Sequence, residues 1–147
     1  MKIRIAWIGK TKEAAIETLT AEYLKRLGRY TKVDGVTLKD EAAVLNLCAR
    51  DARPARHALL LLDARGKQLS SEEFAKWLGD FQDRNPLPLL CAVGPADGFS
   101  DDARRAATLV LSLGKMTLAH ELARVVFLEQ LYRAFTILKG HPYHLGH

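Results

Sequence analysis

The chain has few of the patterns by which a sequence declares its chemistry. Its two cysteines, Cys48 and Cys91, fall in a predicted helix and a predicted buried strand. They have neither metal-ligand spacing nor the density of a disulfide framework, a usage that suits a reducing cytoplasm. Apolar runs such as 58–62 and 87–93 are of strand length and far too short to span a bilayer, so no membrane partner is expected. Arg4 interrupts the first apolar stretch, so the layout of a secretory signal is missing. No Gly-x-Gly-x-x-Gly fingerprint and no Gly-Lys-Ser/Thr phosphate loop occurs. Ser-His-Asp ordering, His-rich metal spacing and paired catalytic carboxylates are equally missing, which leaves hydrolase and metalloenzyme readings without support and no metal expected. No internal repeat, low-complexity segment or linker interrupts the chain.

What is present is a 147-residue chain, 48% hydrophobic and 27% charged, the balance of an ordinary soluble globule with one domain's core. The net charge of +5 weakly favours an anionic partner. The distribution says more than the sum. From Arg124 onward the only acid is Glu129, against Arg124, Arg133, Lys139 and three histidines.

Periodicity places the elements. Residues 2–8 alternate Ile3, Ile5 and Trp7 with more polar positions, as a strand does, and 12–29 carry Ile16, Leu19, Tyr23 and Leu27 along one helical stripe. Residues 32–38 read as a second strand and 41–52 as a helix with Val44, Leu45 and Cys48. Four leucines within 57–63 predict a strand buried on both faces, as in parallel sheets. A turn is expected around Gly66, and Ser70 with Glu73 forms a capping-box pattern opening the next helix. Phe74, Trp77, Leu78 and Phe81 then fall at i, i+3, i+4 and i+7. Strand 87–93, a helix at 101–107 capped by Ser100, and strand 108–112 follow. The last helix, 119–138, is apolar on nearly every side and is closed by Gly140 and Pro142. Such a helix is expected to pack on two sides, one of them against a second copy of the chain. Alternating strands and helices define an α/β protein with a mainly parallel sheet and helices on both faces.

In such sheets ligands bind beyond the carboxyl ends of the strands. Three segments occupy that position: 62–67, 94–100 and 113–118. In the second, Gly94 and Gly98 allow close backbone approach to a ligand, although an ordinary strand-to-helix turn explains the segment equally well. Asp63 either meets a ligand or begins the turn at Arg65 and Gly66. The third segment places backbone donors and acceptors of Leu113, Gly114, Lys115, Met116, Thr117 and Leu118 between a buried strand and a buried helix, which suits an adenine-containing ligand; the plainer reading makes Thr117 a helix cap. Past the last helix, His141, Tyr143 and His144 are candidates for substrate contact, set against a frayed terminus, to which His147 is assigned. His57 and His120 read as structural or surface residues. Glu129 pairs with Arg133 at i, i+4. Arg124 has no local acid, which suggests a phosphate or a partner chain, with surface solvation as the alternative.

The residues just quoted resemble the ribosomal RNA large-subunit methyltransferase H family, a minimal branch of the SPOUT superfamily. The resemblance begins at Ile5-Ala6-Trp7-Ile8-Gly9-Lys10, continues through Glu22-Tyr23-Leu24-Lys25-Arg26-Leu27 and Leu62-Asp63-Ala64-Arg65-Gly66-Lys67, and is most specific from Leu111 to His144. There it rests on Lys115-Met116-Thr117, Arg124-Val125-Val126, Glu129-Gln130-Leu131-Tyr132-Arg133-Ala134-Phe135 and His141-Pro142-Tyr143-His144. It implies a cytoplasmic homodimer whose carboxy-terminal third is tied into a trefoil knot, a feature nearly absent from other folds. It also implies S-adenosylmethionine as cofactor and N3 of a pseudouridine in 23S rRNA, within the ribosome, as target. The cofactor contacts it implies are Leu62, Gly94 and residues 113–118, the same three segments reached by strand-end reasoning. His144, His141, Tyr143 and Arg124 become the catalytic candidates. Two departures bear on cofactor affinity: Pro95 stands where the family has a second glycine, and Gly114 where serine is common. Proline removes one backbone donor. The rival readings are another RNA base or a ribose hydroxyl as target, or a catalytically silent RNA-binding or ribosome-assembly protein.

Overall fold

The computed structural model describes residues 1–95 and 97–145; Ala96 and the terminal His147, read above as loop and frayed end, lie outside them. Five strands form one sheet in the order β2-β1-β4-β3-β5, and every neighbouring pair is parallel. The strands are β1 (Lys2–Ile8), β2 (Lys32–Leu38), β3 (Ala58–Gln68), β4 (Leu89–Val93) and β5 (Leu109–Ser112). Between and after them run α1 (Ala14–Leu27), α2 (Glu41–Cys48), α3 (Ser71–Arg84), α4 (Asp101–Ala106) and α5 (His120–Leu138). The chain is therefore α/β as expected. Interior β4 is buried at all five positions, because both its faces carry helices.

Each face has its own core. On one, Ile3, Ile5, Leu60 and Cys91 of the sheet meet Leu27 of α1, Phe74 and Leu78 of α3, and Phe127, Leu128 and Leu131 of α5. On the other, Ala6, Leu59, Leu61 and Leu90 meet Val44 of α2 and Phe99 and Ala103 around α4. Full burial of each such leucine or phenylalanine contributes about 1.5–3 kcal/mol. The alternation of β3, with Leu60 and Leu62 in one core and Leu59 and Leu61 in the other, explains its unbroken leucine run.

Helix starts follow the sequence signals. Ser70 and Glu73 form the full capping box of α3, and Ser100 and Asp40 cap α4 and α2 through their side chains. Helix α5 starts after Ala119 without a side-chain cap, so Thr117 does not serve as one. At its other end Gly140, at φ +70°, permits the His141 amide to reach back to the Thr136 carbonyl at 2.9 Å, a Schellman closure.

Three expectations need correction. Leu19 does not join the buried stripe of α1; it is 42% exposed, and Thr20 is buried in its place. Helix α2 stops at Cys48, short of residue 52. No turn breaks the chain at Gly66: β3 bulges between Leu62 and Lys67 and then pairs again with β5. The glycine reads as a turn residue in sequence, but its reason is proximity. A Cβ at Gly66 would lie 2.5 Å from the Val110 carbonyl oxygen.

Candidate active site

The bulge in β3, the segment after β4 and the segment after β5 all end at the carboxyl edge of the sheet, and together they enclose a cavity of about 290 Å³. Leu62, Val93, Leu111, Leu113 and Leu118 supply apolar wall, while Gly94, Pro95, Gly98 and residues 112–117 bring backbone to its rim. His120 and Ala123, from the first turn of α5, close one side. The structure thus brings together every residue expected at a cofactor site: Leu62, Gly94, Leu113, Gly114, Lys115, Met116, Thr117 and Leu118. His120, read from sequence as a structural or surface residue, lines this cavity as well; its place at the start of the helix that follows the third segment was the available signal.

The cavity's shape depends on lining residues that also hold the protein's own segments together. Asp63 is one. Its carboxylate accepts from the Arg65 amide at 2.9 Å and from the Phe99 amide at 3.1 Å, and Arg104 stands 3.6 Å away. It ties the β3 bulge to the segment after β4 and also lines the cavity, holding a bulge where a turn was expected. Gly94 is another. A Cβ there would collide with the Phe99 ring, so this glycine is required by the chain's own packing. Ser112 orders the third segment: its hydroxyl accepts from the Gly114 amide at 3.2 Å and donates to the Gly114 carbonyl at 3.0 Å. Gly114 sits at φ +133°, where side chains are strained, with open space on its Cβ side. Beyond it the segment is less enclosed than its flanks suggested, and Met116 is 86% exposed.

Arg124 is not solvated. It is 2% exposed, lies over the Trp7 ring with its guanidinium carbon 4.1 Å from the centroid, and reaches the Thr20 hydroxyl at 3.4 Å. Burial lowers its pKa, with the charges of Glu121 and Glu17 acting the other way. It lines a second cavity, separate from the first, with Trp7, Lys10 and Thr37. The neighbouring Glu121 caps α1 from across the molecule, accepting from the Lys12 and Glu13 amides at 3.1–3.2 Å. Burial raises its pKa, but those amides and the charges of Arg124 and His120 outweigh it and hold the carboxyl below its ordinary value.

The tail folds onto its own helix. His141 Nδ1 pairs with the Tyr30 hydroxyl at 2.5 Å, Tyr143 packs edge-on against Tyr132 at 4.9 Å, and His144 sits between Arg133 at 2.9 Å and Glu72 at 2.5 Å. The Glu129–Arg133 pair forms as expected, at 2.6 Å. Arg133 stands about 20 Å along α5 from His120. Within one protomer, therefore, His141, Tyr143 and His144 are not brought to the cavity. Neither thiol competes as a nucleophile: burial pushes Cys48 up to about 11 and Cys91 higher still. Among the described residues no group of three or more His, Cys, Asp or Glu side chains could hold a metal ion, and no helix is long and apolar enough to cross a membrane.

Residues 1–144 match the family described as Predicted SPOUT methyltransferase. A ribosomal RNA large subunit methyltransferase H from Koribacter versatilis is 57% identical over 147 residues, covering 100% of both chains. The protein of the same name from Geobacter sulfurreducens is 41% identical, over 98% of this chain and 99% of that one. Among solved structures, a probable methylase family protein from Haemophilus influenzae superposes with a TM-score of 0.58 at 15% identity, covering 96% of this chain and 69% of its own. The SpoU methyltransferase AviRb from Streptomyces viridochromogenes, solved in complex with the cofactor AdoMet, superposes with a TM-score of 0.52 at 15% identity, covering 94% of this chain and 58% of its own. At that identity the two structures speak for the fold, and the class they define is the SpoU/SPOUT methyltransferase fold. The chain belongs to the ribosomal RNA large subunit methyltransferase H family within that class.

Proposed function

We propose that the chain transfers a methyl group from S-adenosylmethionine to N3 of a pseudouridine in 23S rRNA, acting on the ribosome as a cytoplasmic homodimer. The observation that carries this reading is the 57% identity, over the full length of both chains, to a protein named for methylation of large-subunit rRNA. The convergence of three strand-end segments on one cavity supports it. The residues present suit the cofactor. The apolar walls from Leu62, Val93, Leu111 and Leu113 match an adenine ring, and the rim at Gly114 carries backbone with no side chain in the way.

When bound, S-adenosylmethionine supplies an already activated methyl group, so the protein's task is placement of the nucleophile about 3–3.5 Å away, in line. The N3–H of the base is a weakly acidic imide, and loss of its proton calls for a base or a nearby cation. His141 and His144 are the candidates to take that proton, and Tyr143 to stack on the unpaired base. Because all three lie at the far end of their own α5, we assign them to the cavity of the partner protomer. The stripe of Leu122 and Val126 on α5, 51% and 37% exposed, supplies apolar surface for that pairing. The knot implied by the resemblance would involve residues 113–118 and α5.

The test compares intact ribosomes with naked 23S rRNA as substrates and identifies the modified nucleoside by mass spectrometry. N3-methylated pseudouridine on ribosomes is the expected product. A ribose-methylated or other base product redirects the assignment. If calorimetry shows no binding of S-adenosylmethionine, the catalytically silent RNA-binding reading replaces it.

A further inference from the structure

The second cavity, of about 380 Å³, opens beyond the carboxyl ends of β1 and β2 and is built around a buried cation on which Glu121 and Glu17 act only without direct contact. Arg124 makes no ion pair among the described residues; its Nε, and Nε1 of Trp7, are buried polar atoms without a hydrogen-bond partner. Leaving such donors unpaired costs about 1–3 kcal/mol apiece, more for a charged group, and a buried guanidinium is ordinarily matched by an anion. The indole's seat is specific. Gly35 on β2 has no Cβ because one would lie 2.6 Å from the Trp7 ring, so a mid-strand glycine makes room for it. Lys10 and Arg124 outnumber the one acid of the lining, Glu17, which is exposed.

The cavity adjoins the first one by two independent routes. Trp7 is paired in register with Val93, which lines the first cavity. Ala123 lines the first cavity and the next residue, Arg124, lines the second, so the two flank the same turn of α5.

We propose that this second cavity takes a phosphodiester group of the substrate RNA next to the target nucleotide, with Arg124 and Trp7 donating to its oxygens. The inference rests on the rRNA reading above and adds to it the place where the backbone is held. RNA is favoured over a protein carboxylate because the cavity shares the carboxyl edge at which the methyl group must be delivered, and phosphate is the anion that every nucleotide brings there.

The test measures anisotropy of a fluorescent oligoribonucleotide spanning the target, at several salt concentrations, for wild type, Arg124→Gln and Arg124→Lys. Melting by circular dichroism confirms that each variant is folded; if Arg124→Gln is not, the Trp7 response decides alone. For Arg124→Gln we expect about tenfold weaker binding and a shallower salt slope, reduced by about one phosphate's share. Arg124→Lys keeps that slope but loses the indole response. That response is read in Trp77→Phe, which leaves Trp7 as the one tryptophan, as a saturable change of emission on adding RNA. RNA binding with an unchanged slope in Arg124→Gln, or with no Trp7 response, overturns this proposal alone. Loss of dimer in sedimentation by Arg124→Gln, with the RNA slope unchanged, would show that a carboxylate of a second copy is the occupant and overturn it as well. Absence of any RNA binding by wild type, with S-adenosylmethionine still bound, overturns the rRNA reading and this inference together.

Discussion

At the scale of single residues, several positions that look like ligand contacts are required first by the protein itself. Gly94 is the clearest. Its sequence context, a glycine ending a buried strand in a ligand-binding fold, invites the reading that a side chain there would block the cofactor. The Phe99 ring occupies the space instead. Gly94→Val is therefore expected to lower stability by about 1–3 kcal/mol through overpacking, and to weaken S-adenosylmethionine binding as a consequence of the displaced segment. A thermal melt beside calorimetry checks this; loss of affinity with an unchanged melting temperature would restore a direct contact. Glu121 gives a prediction in pH. Its pKa is depressed in the folded state, so its contribution to stability is present above the unfolded value and is lost as pH falls through the folded one. Glu121→Gln, which removes the charge that caps α1, is expected to be less stable than wild type at neutral pH and to converge with it on acidification below about pH 4. Urea melts across that range measure the convergence, and a constant difference would mean that the carboxylate's charge is irrelevant.

At the scale of elements, the sequence showed most where one pattern governed a whole segment. The leucine run of β3, the Ser70–Glu73 box, the Ser100 cap and the Gly140 stop all sit where periodicity and capping chemistry placed them. What was not legible depended on contacts between distant segments. Nothing local to Gly66 distinguishes a turn from a bulge; the distinction lies in how closely β5 approaches, which only the folded sheet decides. Leu19 continues an apolar stripe that Thr20 takes over, because Arg124 of α5 arrives beside Thr20. The site followed the same division. That the three strand-end segments meet at one cavity was legible because parallel strands end at one edge of the sheet. The tail's placement on its own helix was not, because it depends on Tyr30 and Glu72, far away in the chain. The bulge also carries a prediction. Gly66→Ala places a methyl group against the Val110 carbonyl, and neither backbone can yield without parting β3 from β5. A loss of about 2–4 kcal/mol is expected, with hydrogen exchange rising at β5 before the rest of the sheet. Exchange rising uniformly would show that the bulge is no weak point.

At the scale of the whole molecule, the cavity proposed for the cofactor and the tail residues proposed to serve it stand at opposite ends of a single helix. The separation of about 20 Å is fixed by the rigidity of α5 and by its packing against α1 and α3. No small movement of the tail in one protomer removes it. The proposed homodimer would resolve the geometry if its two-fold axis set each tail near the other's cavity, with the exposed stripe of Leu122 and Val126 on α5 between the copies. This arrangement makes a prediction that a self-contained site does not. A chain truncated before His141 keeps its cavity and is expected to bind S-adenosylmethionine with near-normal affinity, yet to lose methylation. A second chain carrying Gly114→Val, strained at its φ of +133° within the cavity rim, is expected to lose cofactor binding while its tail stays intact. Each homodimer is then inactive. In a heterodimer one cavity is whole and faces a whole tail, so mixing the two chains under conditions of subunit exchange restores activity. Random mixing at equal amounts makes half the dimers mixed, each with one working site of two, which sets recovery at about a quarter of wild type. Methyl incorporation into ribosomes, measured against mixing ratio, should peak at equal amounts and vanish at either extreme. If the truncated chain alone retains full activity, the tail has no catalytic part. If mixing restores nothing although exchange is shown by mass spectrometry, each protomer completes its own site and the tail must leave Tyr30 and Glu72 to reach it.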